Sequence, residues 1–126
     1  MDVYFWRSKK GEVPVKTFIK DLENYQKKKI ARRLDRIENK SYQECYDAKL
    51  IKQISDDVYD DFYGEIKWSG TQLRVLIDIR GKPSSCFLLH GLLKKADVIP
   101  QQDKRKANIR SKNIIKNNCI PWNQKG

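Results

Sequence analysis

The segment Leu73-Arg74-Val75-Leu76-Ile77-Asp78-Ile79 decides the fold, because residues 73, 75, 77 and 79 are all apolar while Arg74 and Asp78 carry charge. Strand side chains alternate between faces, so this run predicts a β-strand with its odd residues against a helix-covered core and Arg74 and Asp78 on the other side. Upstream, Tyr63 to Trp68 is a second strand-like run, with Ile66 and Trp68 on one side and Glu65 and Lys67 on the other. Ser69-Gly70 joins the two runs as a hairpin turn, which predicts that Lys67 and Arg74 share the open face. Downstream, Gly81-Lys82-Pro83 leads into Ser84 to Gly91, where Ser85-Cys86-Phe87-Leu88-Leu89-His90 is apolar on both sides, as suits a strand with neighbours on each edge. Periodicity does not place His90. The three runs read as an antiparallel meander.

Around this meander the chain is helical. Asp2 to Trp6 is a short aromatic strand at or near a sheet edge, followed by a turn from Ser8 to Glu12. Pro14 suits a first helical position, and Val15, Phe18, Ile19, Leu22 and Tyr25 recur at spacings of three and four, which predicts an amphipathic helix. A second helix follows with Ile30, Leu34 and Ile37 inward and Lys27, Lys28, Lys29, Arg32, Arg33, Arg36 and Lys40 around the rest, so the two form a hairpin. From Ser41 to Phe62 the pattern loosens. Leu50, Ile51 and Ile54 read as core, and Asp56, Asp57, Asp60 and Asp61 form an acidic cluster. Pro100 starts a last helix to about Lys116, weakly apolar at Ala107, Ile114 and Ile115. The expectation is an α+β fold in a single domain over 1–116, with helices on one face of a small sheet and a polar tail over 117–126.

Composition narrows the classes of function. The chain has 126 residues, with 27 Lys+Arg against 16 Asp+Glu and a net charge of +11. That length fits one domain, and 39% apolar residues supply its core without staples. Cys45, Cys86 and Cys119 are odd in number and widely spaced, and the single His cannot complete a zinc set, so neither a disulfide framework, a metal site nor any other cofactor is expected. No stretch approaches the roughly 18 apolar residues of a membrane span, and the reading is of a reduced, cytoplasmic protein without a membrane partner. The positive charge predicts attraction to polyanions, nucleic acid first among them.

The open face collects that charge. Lys67 and Arg74 lie on it, Lys94 and Lys95 follow the third strand, and the segment from Lys94 to Lys116 holds eight Lys/Arg against Asp97 and Asp103. The expected result is a cationic concavity that suits phosphate groups.

The ordered set Glu65-Ile66-Lys67, Leu73-Arg74-Val75-Leu76, Leu88-Leu89-His90-Gly91-Leu92-Leu93-Lys94-Lys95 and a Pro100-led helix resembles the RelE/HigB-type toxins, particularly their phage-derived HigB-like branch. Phe5 to Arg7 and Pro14-Val15-x-x-Phe18 match that branch as well, so the likeness spans about residues 3 to 110. The resemblance implies a RelE-like fold with an N-terminal strand, a helical hairpin, a three-strand meander and a C-terminal helix. It also implies the toxin of a type II toxin–antitoxin system, a ribosome-dependent, metal-independent mRNA endoribonuclease. Its implied partners are message on the ribosome, with ribosomal RNA contacts, and a cognate antitoxin of helix-turn-helix type. Three positions depart from the family pattern: Lys67 stands for an arginine, Leu73 for an aromatic and Ile99 for a threonine.

Metal-free RNA cleavage needs the 2′-hydroxyl to attack its own phosphorus while one proton is accepted, another donated and the phosphorane's charge neutralised. In that scheme Arg74 stabilises transition-state charge with its planar fork. Lys67 transfers a proton or anchors phosphate, Lys94 attends the leaving group, and His90 is an acid or base. Lys95, Lys104, Arg105 and Arg110 are the expected RNA-binding residues. Each role has a plainer rival. A lone His at a strand end is commonly structural, Lys67 has Glu65 two residues away to pair with, and basic helix faces are commonly solvated surface. The rival function is a noncatalytic RNA- or ribosome-binding regulator of the same fold. A role in a repressor complex with the antitoxin is compatible with either.

Overall fold

A computed structural model describes residues 1–54, 62–95 and 98–123. The acidic run at Asp56, Asp57, Asp60 and Asp61, and Asp97, lie outside the described residues. The elements are β1 (Asp2–Phe5), α1 (Pro14–Lys20), α2 (Asn24–Glu38), α3 (Tyr42–Asp47), β2 (Lys52–Gln53), β3 (Gly64–Lys67), β4 (Leu73–Arg80), β5 (Ser85–Leu93), α4 (Gln101–Lys112), a turn of 3-10 helix at Lys116–Asn118, and β6 (Ile120–Pro121). The fold is α+β, with a mixed sheet in the order β2-β3-β4-β5-β1-β6. β3, β4 and β5 form the expected antiparallel meander, β1 runs parallel to β5, and β6 is antiparallel to β1. No helix among the described residues is long and apolar enough to cross a membrane.

The odd residues of β4 enter the core as their alternation predicts. Leu73, Val75 and Ile77 pack with Ile66, Cys86 and Leu88 and with Ile30, Leu34 and Ile37 of α2. Reciprocal capping boxes start α2, through Glu23 and Gln26, and α3, through Ser41 and Glu44, so polar side chains satisfy the first free N–H groups of each. Leu50 and Ile51 are buried in the same core.

Four expectations need correction. Helices cover both faces of the sheet rather than one: Leu76, Phe87, Leu89 and Leu92 pack on the far side with Trp6, Phe62, Ile99, Cys119 and Ala107 of α4. The cause is β5 itself, since a strand apolar on both sides needs two covers. Tyr25 belongs to α2 and is exposed, because α1 stops at Lys20 and the cap at Glu23 resets the helical phase. Residues 117–126 do not form a free polar tail as far as they are described. Ile120 and Pro121 pair with Phe5 and Tyr4, Asn118 Nδ2 donates to the Arg7 and Ser8 carbonyls at 3.0 and 3.2 Å, Cys119 is buried, and Trp122 Nε1 donates to Glu38 Oε2 at 3.1 Å. This segment covers the edge of β1, whose N–H and C=O groups would otherwise lie open, and proline suits such an edge. Last, α4 ends at Lys112 rather than near Lys116, and Ile115 beyond it is exposed.

A β-bulge interrupts the β4–β5 ladder. Leu76 pairs with His90 and Ile77 with Leu88, so Leu89 is the inserted residue. The insertion leaves Leu89 and His90 both facing α4 and turns Gly91 toward α1. A Cβ at Gly91 would run into the Phe18 ring. Gly91→Ala is therefore expected to cost about 1–3 kcal/mol by overpacking. Urea unfolding of Gly91→Ala, Phe18→Ala and the double variant should give a coupling energy of at least about 0.5 kcal/mol; strictly additive losses would refute the contact.

Candidate nucleic-acid interface

Lys67 and Arg74 sit directly opposite each other across β3 and β4, so their side chains leave the same face of the sheet. Their exposure differs. Lys67 is exposed, whereas the Arg74 side chain is only 8% accessible. Its Nη1 donates to the carbonyls of Thr71 at 3.0 Å and Leu73 at 2.7 Å, folding the guanidinium back over the hairpin turn. Its Nε lies 4.0 Å from Glu65 Oε2, and neither atom has a hydrogen-bond partner among the described residues. The expected open face is thus largely closed, because Phe62, Leu92 and Ile99 bury it beside α4. What stays open is a depression of about 610 Å³ at the turn end of the sheet, lined by Tyr25, Gln26, Lys29, Lys67, Thr71 and Arg74 among others.

His90 occupies the same face two positions further along. Its Nε2 lies 2.6 Å from Asp103 Oδ1 and its Nδ1 lies 3.0 Å from Arg110 Nη1, both on α4. A guanidinium only donates, so Nδ1 is the acceptor, and the ring proton sits on Nε2 and goes to the carboxylate. Burial lowers the His90 pKa below the ordinary imidazole value, against the hydrogen bond to Asp103, which raises it. The result is a neutral imidazole with both nitrogens engaged inside the protein. Where the sequence reading expected a catalytic acid or base, the structure places a ring that pins sheet to helix through Asp103 and Arg110.

A second pin lies along β4. Ser111 Oγ donates to Asp78 Oδ2 at 2.6 Å, and Arg80 donates to that same oxygen at 2.8 Å and to the Ser111 carbonyl at 2.8 Å. Sequence reasoning missed both pins. The available signal was the stripe Asp103, Ala107, Arg110, Ser111, whose spacing places all four on one side of a helix.

The remaining cations divide between surface and interior. Lys94 is half-buried at the turn end of the sheet, its N–H donating to the Gln72 carbonyl at 2.7 Å, and Lys95 and Arg105 are exposed. Lys104 is half-buried on α4. Arg110, expected to bind RNA, is instead used internally: beyond His90 it donates to the Leu89 carbonyl at 2.8 Å and sits 5.5 Å from the centroid of the Trp6 ring. None of these residues lines the depression that holds Lys67, Lys29 and Arg74. Among the described residues no group of three or more His, Cys, Asp or Glu side chains is arranged to hold a metal ion. Comparison with family models, curated proteins and solved structures returned no match.

The lowered His90 pKa has a definite consequence for stability. Unfolded chain takes up a proton on this residue near pH 6.5, whereas the folded protein does so only at lower pH. The contribution of neutral His90 is therefore complete above about pH 6.5 and lost as pH falls through the folded value. Urea midpoints should drop between pH 7 and pH 5.5 in the wild type, while His90→Gln, less stable at pH 7, should show a flatter profile over that window.

Proposed function

We propose that this chain is a ribosome-dependent mRNA endoribonuclease of the RelE/HigB toxin type, held in check by a cognate antitoxin of helix-turn-helix type and acting in the cytoplasm. The observation that carries the reading is the cross-strand pair of Lys67 and Arg74 at the mouth of a cationic depression. The likeness of the sequence to that family supplies the reaction, and the chain's +11 charge suits the ribosome's RNA.

In this reading the scissile phosphate sits over the β3–β4 hairpin. The 2′-oxygen attacks phosphorus and the 5′-oxygen leaves, giving a 2′,3′-cyclic phosphate and a 5′-hydroxyl end. Lys67, exposed on its long stem, donates a proton to the leaving 5′-oxygen, while the 2′-hydroxyl proton passes to solvent. Arg74 acts as a fixed positive charge, its guanidinium held by two carbonyls so that little reorganisation accompanies the build-up of negative charge. Lys94 lies at the same end of the sheet as a phosphate contact, while Lys95, Lys104 and Arg105 meet RNA more remotely.

One observation favours the rival reading, a noncatalytic RNA- or ribosome-binding regulator. His90 has no free ring nitrogen and Arg74 is mostly buried, which leaves Lys67 as the one freely exposed group among the three nearest the site. Primer extension on message translated by purified ribosomes separates the two. The enzyme produces new 5′ ends and the regulator does not. Arg74→Ala should lower the cleavage rate about a hundredfold to a thousandfold. Lys67→Gln, an exposed change that leaves the hairpin's hydrogen bonds intact, should also lower cleavage with an unchanged melting temperature. Wild-type rates in both variants would remove the pair from the site.

A further inference from the structure

A second depression, of about 650 Å³, lies beside the first, and Lys67 lines both. Among the described residues they are edged by six cations, Lys29, Arg33, Lys49, Lys52, Lys67 and Arg74, against the single lining carboxylate of Asp47. Each depression also contains one exposed tyrosine. Tyr25, 56% exposed, lines the first and Tyr46, 48% exposed, lines the second.

One helix connects them. Tyr25, Lys29 and Arg33 follow at intervals of four on α2, a spacing that puts them in a single row along its side. Arg33 lines the second depression and reaches the backbone of Lys67, which both share. Its Nη1 donates to the carbonyls of Leu50 at 3.2 Å and Lys67 at 3.1 Å, and its guanidinium lies 5.5 Å from the Trp68 ring centroid. Tyr46 is similarly held: its ring stacks on Tyr42 with centroids 6.3 Å apart, and Tyr42 shares a 2.9 Å hydrogen bond with Tyr63. A preset aromatic face loses little freedom when a flat ligand stacks on it.

We infer that the paired depressions form a track for one strand of RNA, in which bases stack on Tyr25 and Tyr46 while the phosphates between them pass over Lys67. Clustered cations alone would suit any polyanion. An exposed aromatic face within each cluster selects unpaired bases, because in a duplex the base faces are already stacked on one another. The inference rests on the RNA-directed role proposed above and adds to it the form of the substrate and its course across the surface.

Fluorescence anisotropy of the full chain with a labelled, unstructured oligoribonucleotide of about twelve nucleotides tests it. The single strand should bind at least about tenfold tighter than a duplex of equal length. Tyr25→Ala and Tyr46→Ala should each weaken binding about 5- to 100-fold, while Tyr25→Phe and Tyr46→Phe stay near wild type. Lys49→Gln should reduce the slope of log affinity against log salt by about 0.7, and Lys82→Gln, in the turn at the opposite end of β4, should not. Alanine variants with wild-type melting temperature and wild-type affinity would overturn the track, as would a duplex or polyglutamate bound as tightly as the single strand. Tyrosine-dependent binding without ribosomal cleavage would refute the nuclease and leave the track standing. Cleavage by a protein whose RNA binding ignores both tyrosines would do the reverse.

Discussion

The central strands β4 and β5 must bury two faces at once, and the rest of the molecule is arranged around that requirement. On one side the answer is purely apolar, with α2 laying Ile30, Leu34 and Ile37 over Leu73, Val75 and Ile77. On the other side Arg74, Asp78 and His90 stand among Leu76, Phe87 and Leu92, so any cover must satisfy charge as well as hide carbon. α4 does both, placing Ala107 against the apolar patch and Asp103, Arg110 and Ser111 against the polar groups.

That solution determines where positive charge remains for a ligand. Arg110 is drawn inward by His90 and Leu89, and Arg74 by the carbonyls of its own turn. Among the cations left accessible, Lys29, Lys49, Lys52 and Lys67 gather at the far edge, where α2, the β3–β4 hairpin and the α3–β2 link meet. A basic protein need not be basic where its sequence alternation first suggests; burial removes some charges and framing concentrates others.

Much of the fold was legible in the residues. The meander followed from the alternation at Leu73 to Ile79, and so did the shared face of Lys67 and Arg74, because both depend only on neighbours in the chain; their direct pairing did not, since a two-residue turn at Ser69-Gly70 would set Lys67 opposite Gln72. Tyr25 was misread because helical spacing continues across Asp21 and Leu22 in sequence although the helix does not. The residues after 117 were misread because their packing depends on β1 and Glu38, more than eighty positions away. Lys49, Lys52 and Tyr46 passed unnoticed as site residues, since nothing local links them to Lys67.

The chain by itself determined its α+β class, the meander, the buried face of α2, and which residues of β3 and β4 share a sheet face, all consequences of side-chain period; the register across the hairpins was left to the tertiary structure. The tertiary structure alone decided the fate of the individual charges. A bulge at Leu89 directs His90 toward α4, the depth of packing turns Arg74 from an open-face cation into a buried one, and the meeting of three distant segments surrounds Lys67 with lysine, arginine and tyrosine. Exposure and partnership are set by what lies across space, and the linear order of residues does not contain that distance.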